Sequence, residues 1–170
     1  GAMMGWMSYG TKKFEHLDAE MRKLIAPLHK NMKKLIPMID ADTNAFNDYM
    51  TAMKLPKDTD EQKKLRKGLM QDGLKKAINV PLGVMRTADD CWPYMIELAK
   101  IGNASSASDL AVGAKSLETG IWGAMKNVEI NMGQIDDEKY KTSVLKEANE
   151  ILKRAGKNLG EVEKILEGRK

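Results

Sequence analysis

Residues 137–166, DEKYKTSVLKEANEILKRAGKNLGEVEKIL, form the stretch that decides the fold class of this chain. Apolar residues recur in it at steps of three and four, which is the spacing of one face of an α-helix. Those residues are Tyr140, Val144, Leu145, Ala148, Ile151, Leu152, Ala155, Leu159, Val162, Ile165 and Leu166. Acidic residues open the stretch, where negative charge suits the helix dipole. The pattern predicts a long amphipathic helix that packs on a core and has no chemistry of its own.

Three more helical segments precede this one, separated by turn-forming residues at 55–58, 102–106 and 132–137. The first, about residues 8–54, has its predicted inner face at Phe14, Leu17, Met21, Leu24, Ile25, Leu28, Met32, Leu35 and Ile39. The second opens with Thr59 and Gln62 at capping-box spacing. Its predicted inner face consists of Leu65, Leu69, Ile78, Leu82 and Met85. Kinks or joints are expected at Pro27, Pro37, Pro81 and Pro93, because proline lacks the helical N–H.

Composition agrees with an all-α fold in one domain of 170 residues. The 28 basic and 24 acidic residues are interspersed, which indicates a solvated surface and gives no support to a nucleic-acid partner. The single cysteine and two histidines make a metal site of protein side chains unexpected. A cytoplasmic setting fits this cysteine content. No apolar run approaches the ~20 residues that span a bilayer, so no membrane association is expected.

The third segment, about residues 106–131, is rich in small residues and is expected to be the central helix. Gly113, Gly120 and Gly123 each cost about 1 kcal/mol relative to alanine within a helix. Some other interaction should therefore offset this cost. Two are possible: close approach of a neighbouring helix, or close approach of a flat ligand.

Two sets of polar residues are candidates for a site. Asp42 projects onto the predicted inner face between Ile39 and Phe46, whereas Asp40 points outward. Pairing with a lysine, or capping a helix after Pro37, would explain Asp42 without any function.

The second set consists of asparagines and one aspartate around the third segment. Asn127 and Asn131 share a helix face, and Asn103 and Asp109 lie near the start of that segment. Capping and interhelical hydrogen bonds are alternatives to ligand contact for all four residues.

Several stretches, in order along the chain, resemble the cyclodeaminase domain of formimidoyltransferase-cyclodeaminase. They are residues 5–10, 12–14, 40–42, 45–46, 55–57, 80–82, 92–93, 102–103, 108–110, 114–115, 117–118, 120, 123–124 and 127–131. Their shared order over essentially the whole chain carries the resemblance, since no single motif is diagnostic.

The resemblance implies an up-and-down helical bundle that forms a homodimer and acts in histidine degradation and one-carbon metabolism. It implies conversion of 5-formimidoyltetrahydrofolate, which can carry a polyglutamate tail, to 5,10-methenyltetrahydrofolate with release of ammonia. Folate is then the substrate and no separate cofactor is expected. The family's proton-transferring aspartate matches Asp42. Asn103, Asp109, Asn127 and Asn131 become the candidates for binding the substrate.

The resemblance also departs from the family pattern at the start of the chain. The family's domain begins earlier, with a glycine-rich stretch and an alanine-rich helix, so an N-terminally truncated bundle with uncovered apolar surface is expected. Residues 1–3 are interpreted as the scar of an expression tag, and residues 4–170 as the single domain. The alternatives to a cyclodeaminase are a methenyltetrahydrofolate cyclohydrolase and a non-catalytic helical module that binds folate or a protein.

Overall fold

A computed structural model describes residues 1–169, and the regular structure in that range is helical, without a β-strand. Seven α-helices follow one another: α1 (Ala2–Ser8), α2 (Asp18–Leu35), α3 (Met38–Met53), α4 (Asp60–Asp89), α5 (Trp92–Ile101), α6 (Ala107–Met132) and α7 (Glu138–Glu167). The predicted all-α fold is confirmed, including the three breaks between the four segments.

Local signals in the sequence explain several helix ends. The Thr59 hydroxyl accepts a hydrogen bond from the Gln62 amide at 3.2 Å, and the Gln62 side chain accepts one from the Thr59 amide at 3.2 Å. This capping box starts α4, as predicted. Pro37 lies at the joint between α2 and α3, and Pro93 lies in the first turn of α5. Pro27 and Pro81, in contrast, lie inside helices that continue through them.

The core lies where α4, α6 and α7 pack side by side. Ile78 of α4, Ile121 of α6 and Ala148 of α7 are fully buried there. Helix α6 also contacts α1 and α5, so it has the central place expected for the small-residue segment. Because α6 touches helices on several sides, small side chains allow these neighbours to approach closely.

Part of the predicted inner face of the first segment is wrong. Met21, Ile25 and Leu28 are buried, but Met32 is 47% exposed and Ile39 is 71% exposed. The chain leaves α2 after Leu35 and starts α3 at Met38, so the intervening turn resets the helical phase that the prediction carried forward to Ile39.

The apolar residues in the first three turns of α4 were also predicted to face inward and do not. Leu65 and Leu69 are exposed, and the buried residues of α4 begin only at Gly73. The apolar face of this part of α4 therefore has no core to pack against within residues 1–169.

Helix α3 packs on α4 through small residues. Ala45 and Ala52 are buried, and a Cβ at Gly73 of α4 would come within 2.9 Å of the Tyr49 Cα. The two backbones are therefore in close contact, which turns the large apolar side chains of α3 outward.

The basic residues of α4 lie on a solvated face of the helix. Lys67 pairs with Asp136 at 2.8 Å, and Lys75 pairs with Asp137 at 2.9 Å. Such exposed ion pairs stabilise a fold only weakly, by about 0–1 kcal/mol each.

Residues 1–3 belong to the structured part of the chain, because Ala2 and Met3 open α1 and the adjoining Met4 is buried in the core. None of the helices in the described range has the length and apolar character of a membrane-spanning segment.

Candidate functional site

An open groove of about 620 Å³ lies between α2, α3, α4 and α6. Its walls are mostly apolar, and its polar lining side chains are Asp42, Thr43 and Asn127. This size and this mixture, apolar walls with a few polar groups, are typical of sites for small organic molecules.

Asp42 enters this groove from the second turn of α3. Its carboxylate forms no ion pair or side-chain hydrogen bond with any residue in the range 1–169, and Pro37 occupies the N-cap position of α3. Neither of the two structural explanations for Asp42, a lysine partner or a helix cap, is thus found in the described part of the chain.

The predicted orientation of Asp42 toward the core needs correction. Asp42 is exposed, and the buried face of α3 is formed by Ala45 and Ala52 instead. Asp42 faces the groove because it lies one turn before Ala45 and one turn after Ile39, on the side of α3 that looks toward α6. Asp40 is exposed and lies outside the groove.

Two glycines of α6 face Asp42 across the groove. A Cβ built on Gly120 or Gly123 would meet no heavy atom within 4 Å among the described residues. Close packing of a neighbouring helix, the first reason considered for these glycines, is therefore absent from this part of the chain. The bare helix backbone instead leaves a flat surface that a planar ligand can approach.

Asn127 lines the same groove one turn after Gly123. The Asn131 side chain donates a hydrogen bond to the Asn127 backbone carbonyl at 2.9 Å. Asn131 is therefore engaged with its own helix, whereas the side-chain amide of Asn127 makes no hydrogen bond within residues 1–169 and can reach a ligand.

Asn103 and Asp109 lie at the other end of α6. The Asn103 side chain accepts a hydrogen bond from the Ser105 amide at 3.0 Å, and the Asn103 amide donates one to the Ser8 hydroxyl at 2.9 Å. The helical rise of 1.5 Å per residue places Asp109 about 27 Å from Asn127. The structure thus brings together Asp42 and Asn127, and it separates Asn103 and Asp109 from them.

Thr43 was not anticipated from the sequence. Its hydroxyl donates a weak hydrogen bond to the Ile39 carbonyl at 3.4 Å, so it remains able to accept one from a ligand. Its position next to Asp42 was the one available signal.

Among residues 1–169, no three His, Cys, Asp or Glu side chains cluster closely enough to hold a metal ion.

The formiminotransferase-cyclodeaminase family model matches residues 1–150. The chain belongs to this family.

Relatives of known name agree with the family assignment. The formimidoyltransferase-cyclodeaminase of Dictyostelium discoideum is 52% identical over all of this chain, which spans only 31% of that protein. The methenyltetrahydrofolate cyclohydrolase of Methylorubrum extorquens is 33% identical over 88% of this chain and 72% of its own length. A crystal structure of formiminotetrahydrofolate cyclodeaminase from Thermotoga maritima superposes with a TM-score of 0.85 at 28% identity, covering 98% of this chain and 79% of that one.

Proposed function

We propose that this member of the cyclodeaminase family converts 5-formimidoyltetrahydrofolate to 5,10-methenyltetrahydrofolate and releases ammonia. The observation that carries the proposal is the unpaired Asp42 carboxylate, which faces the bare glycine surface of α6 across an apolar groove. The relatives named for this activity support the same choice of substrate.

The reaction requires one proton to move between two nitrogens of the substrate. N10 attacks the carbon of the protonated formimidoyl group, a C–N bond closes the five-membered ring, and N10 then carries an excess proton. The Asp42 carboxylate accepts this proton and returns it to the amino group. The C–N bond to that group breaks and neutral ammonia leaves, so the positive charge of the substrate stays on the methenyl product. A carboxylate suits the task because it alternates between base and acid in one cycle.

Binding follows from the shape of the groove. The flat pterin lies against α6 at Gly120 and Gly123, and the Asn127 amide provides a donor and an acceptor for its polar edge. The Asn131 side chain donates a hydrogen bond to the Asn127 carbonyl and so stabilises the helix turn that carries Asn127. Substrate contact by Asn103 and Asp109 remains a prediction. It requires a substrate long enough to reach them, such as one with a polyglutamate tail.

The test is the rate of ammonia release by Asp42→Asn, with Asp40→Asn as the matched control. Both residues are exposed aspartates of α3, but only Asp42 lines the groove. Loss of a positioned acid–base group should lower kcat by about 10²- to 10⁴-fold in Asp42→Asn and leave Asp40→Asn unchanged. Normal turnover by Asp42→Asn, with an unchanged circular dichroism spectrum, would contradict the assignment.

A methenyltetrahydrofolate cyclohydrolase is the second candidate, because the Methylorubrum extorquens relative bears that name. The two activities differ in what they consume. A cyclodeaminase releases ammonia from the formimidoyl substrate, whereas a cyclohydrolase hydrolyses the methenyl compound. Measuring both reactions on one preparation separates the candidates.

The homodimer implied by the family also belongs to this proposal. Ile39, Phe46 and Met53 follow one another at seven-residue spacing on α3 and are 71%, 57% and 39% exposed. This stripe is where a second copy would dock, since exposed apolar side chains in a row mark interfaces. Phe46→Lys should convert a dimer to a monomer in sedimentation experiments, and Asn47→Lys should not. A dimer that persists in Phe46→Lys would exclude this face.

The role in histidine degradation and the cytoplasmic location are parts of the same proposal. The buried thiol of Cys91, with no disulfide partner in the chain, is in keeping with a reducing compartment.

A further inference from the structure

Among residues 1–169, Asp42 is the only charged residue that lines the groove between α2, α3, α4 and α6. The other polar lining side chains, those of Thr43 and Asn127, are neutral, and the remaining lining residues are apolar or glycine. A ligand in this groove therefore meets a single protein charge, and that charge is negative.

Basic residues near the groove do not neutralise this carboxylate. Lys33, Lys34 and Lys126 are next to lining residues in the sequence, but none of them lines the groove. Lys126 pairs instead with Glu129 at 2.7 Å. No basic residue in the described part of the chain forms an ion pair with Asp42. The carboxylate is therefore free to pair with a positive charge on the ligand.

The folates proposed as substrates share a positive charge on their one-carbon unit. The protonated formimidoyl group of 5-formimidoyltetrahydrofolate is an amidinium cation, and 5,10-methenyltetrahydrofolate carries the same charge in its closed ring. 5-Formyltetrahydrofolate has nearly the shape of the formimidoyl compound, but its formyl group is neutral. A lone carboxylate in the groove can therefore tell these folates apart by charge.

We propose that this groove selects folates whose one-carbon unit is cationic, and that the Asp42 carboxylate is the selecting group. The inference rests on the proposed binding of folate in the groove, and it applies to the cyclodeaminase and the cyclohydrolase alike, because both act on a cation. The apolar walls contact the pterin of every folate, so they supply affinity without discriminating between one-carbon units. A neutral formyl group would take water away from the carboxylate without giving it a partner, which disfavours binding.

The same charge makes the product a good ligand. Neutral ammonia leaves in the proposed reaction, so the positive charge stays on the methenyl product and its attraction to Asp42 persists after ring closure. 5,10-Methenyltetrahydrofolate should therefore compete with the substrate and inhibit ammonia release more strongly than 5-formyltetrahydrofolate does.

Calorimetric titrations with 5,10-methenyltetrahydrofolate and with 5-formyltetrahydrofolate measure this selectivity directly. Opposite unit charges about 4 Å apart change affinity by about fivefold even at the dielectric constant of water, and by more in a partly enclosed groove. The parent chain should therefore bind the methenyl compound more tightly by about fivefold or more. Because the groove is open to solvent, this preference should decrease as salt is added. Absorbance of the methenyl compound reports any hydrolysis during the titration.

Three variants of α3 separate charge from ligand shape and from catalysis. Asp42→Asn removes the charge and should lower the ratio of the two affinities by about fivefold or more, since the difference in ligand shape is common to both chains. Asp42→Glu keeps the charge and should keep the preference even where turnover falls. Asp40→Asn removes an exposed charge outside the groove and should bind both folates as the parent chain does.

The outcomes for this inference and for the proposed function are distinct. An affinity ratio that is the same in the parent chain and in Asp42→Asn, or no binding of either folate, would overturn the inference. A parent chain that releases ammonia without an Asp42-dependent preference retains the proposed function and loses the inference. A parent chain that shows the preference but releases no ammonia does the reverse.

Discussion

Replacing Gly120 and Gly123 by alanine should make the fold more stable and the proposed folate site worse. Neither added methyl group meets a heavy atom of residues 1–169 within 4 Å, so neither causes a clash in that range. Alanine is favoured over glycine in a helix interior by about 1 kcal/mol, so the double substitution should add about 2 kcal/mol to the free energy of unfolding. For a chain of this size that is a rise in Tm of about 4–8 °C.

The same two methyl groups stand on the surface against which the pterin is proposed to lie. Overpacking a close contact costs about 1–3 kcal/mol, which corresponds to a loss of about 5- to 140-fold in affinity for the formimidoyl substrate. Urea denaturation followed by circular dichroism measures the stability, and calorimetric titration measures the binding.

Gly156 and Gly160 of α7 provide the matched control for this experiment. They are exposed helical glycines, an added Cβ on either would likewise meet no heavy atom of residues 1–169 within 4 Å, and they lie outside the groove. Gly156→Ala/Gly160→Ala should raise stability by a similar amount and leave substrate affinity unchanged. If Gly120→Ala/Gly123→Ala is destabilised, or binds the substrate as tightly as the control, α6 is not an open surface that receives the ligand.

Three other predictions concern packing and ionisation. Gly73→Ala should lower stability by about 1–3 kcal/mol, because the new Cβ would lie 2.9 Å from the Tyr49 Cα, and a higher Tm in thermal denaturation would contradict this. The Arg86 guanidinium lowers the pKa of the Glu147 carboxyl, so this pair stabilises the fold above the ordinary carboxyl pKa and ceases to do so as pH falls through the lowered value. Glu147→Gln should accordingly cost up to about 1 kcal/mol in urea denaturation at neutral pH, and the difference from the parent chain should vanish in acid. Burial raises the pKa of the Cys91 thiol, so iodoacetamide should modify the folded chain far more slowly than the urea-unfolded chain, and equal rates would show that Cys91 is accessible.

The parts of the fold that the sequence predicts well are those that depend on neighbouring residues. The capping box at Thr59 and Gln62 is a local signal, and it starts α4 where predicted. The small-residue composition of residues 106–131 likewise predicted a helix with neighbours on several sides. Such features depend on spacing within one or two turns, which the sequence contains directly.

Helix α3 shows where this reasoning fails. A periodicity argument assigns large apolar residues to the core, and it therefore placed Ile39 and Phe46 inside. The structure buries Ala45 and Ala52 instead, since α3 and α4 approach so closely that only small residues fit between them. Which face of a helix is buried depends on the distance to its partner helix, and no local pattern specifies that distance. Asp42 was selected for the wrong reason, because the face to which it belongs borders a groove and not the core.

Glycine in a helix has two opposite uses in this chain, and the sequence alone does not distinguish them. Gly73 and Gly123 both lie in helix interiors and carry the same cost relative to alanine. At Gly73 the Tyr49 backbone occupies the space that a side chain would need, so this glycine allows close helix packing. At Gly123 nothing within the described chain fills the space, so packing does not account for the cost. Gly123 thus has no packing partner, and it lies across the groove from the unpaired Asp42 carboxylate. This arrangement is expected where a flat ligand, and not a neighbouring helix, packs against the glycine.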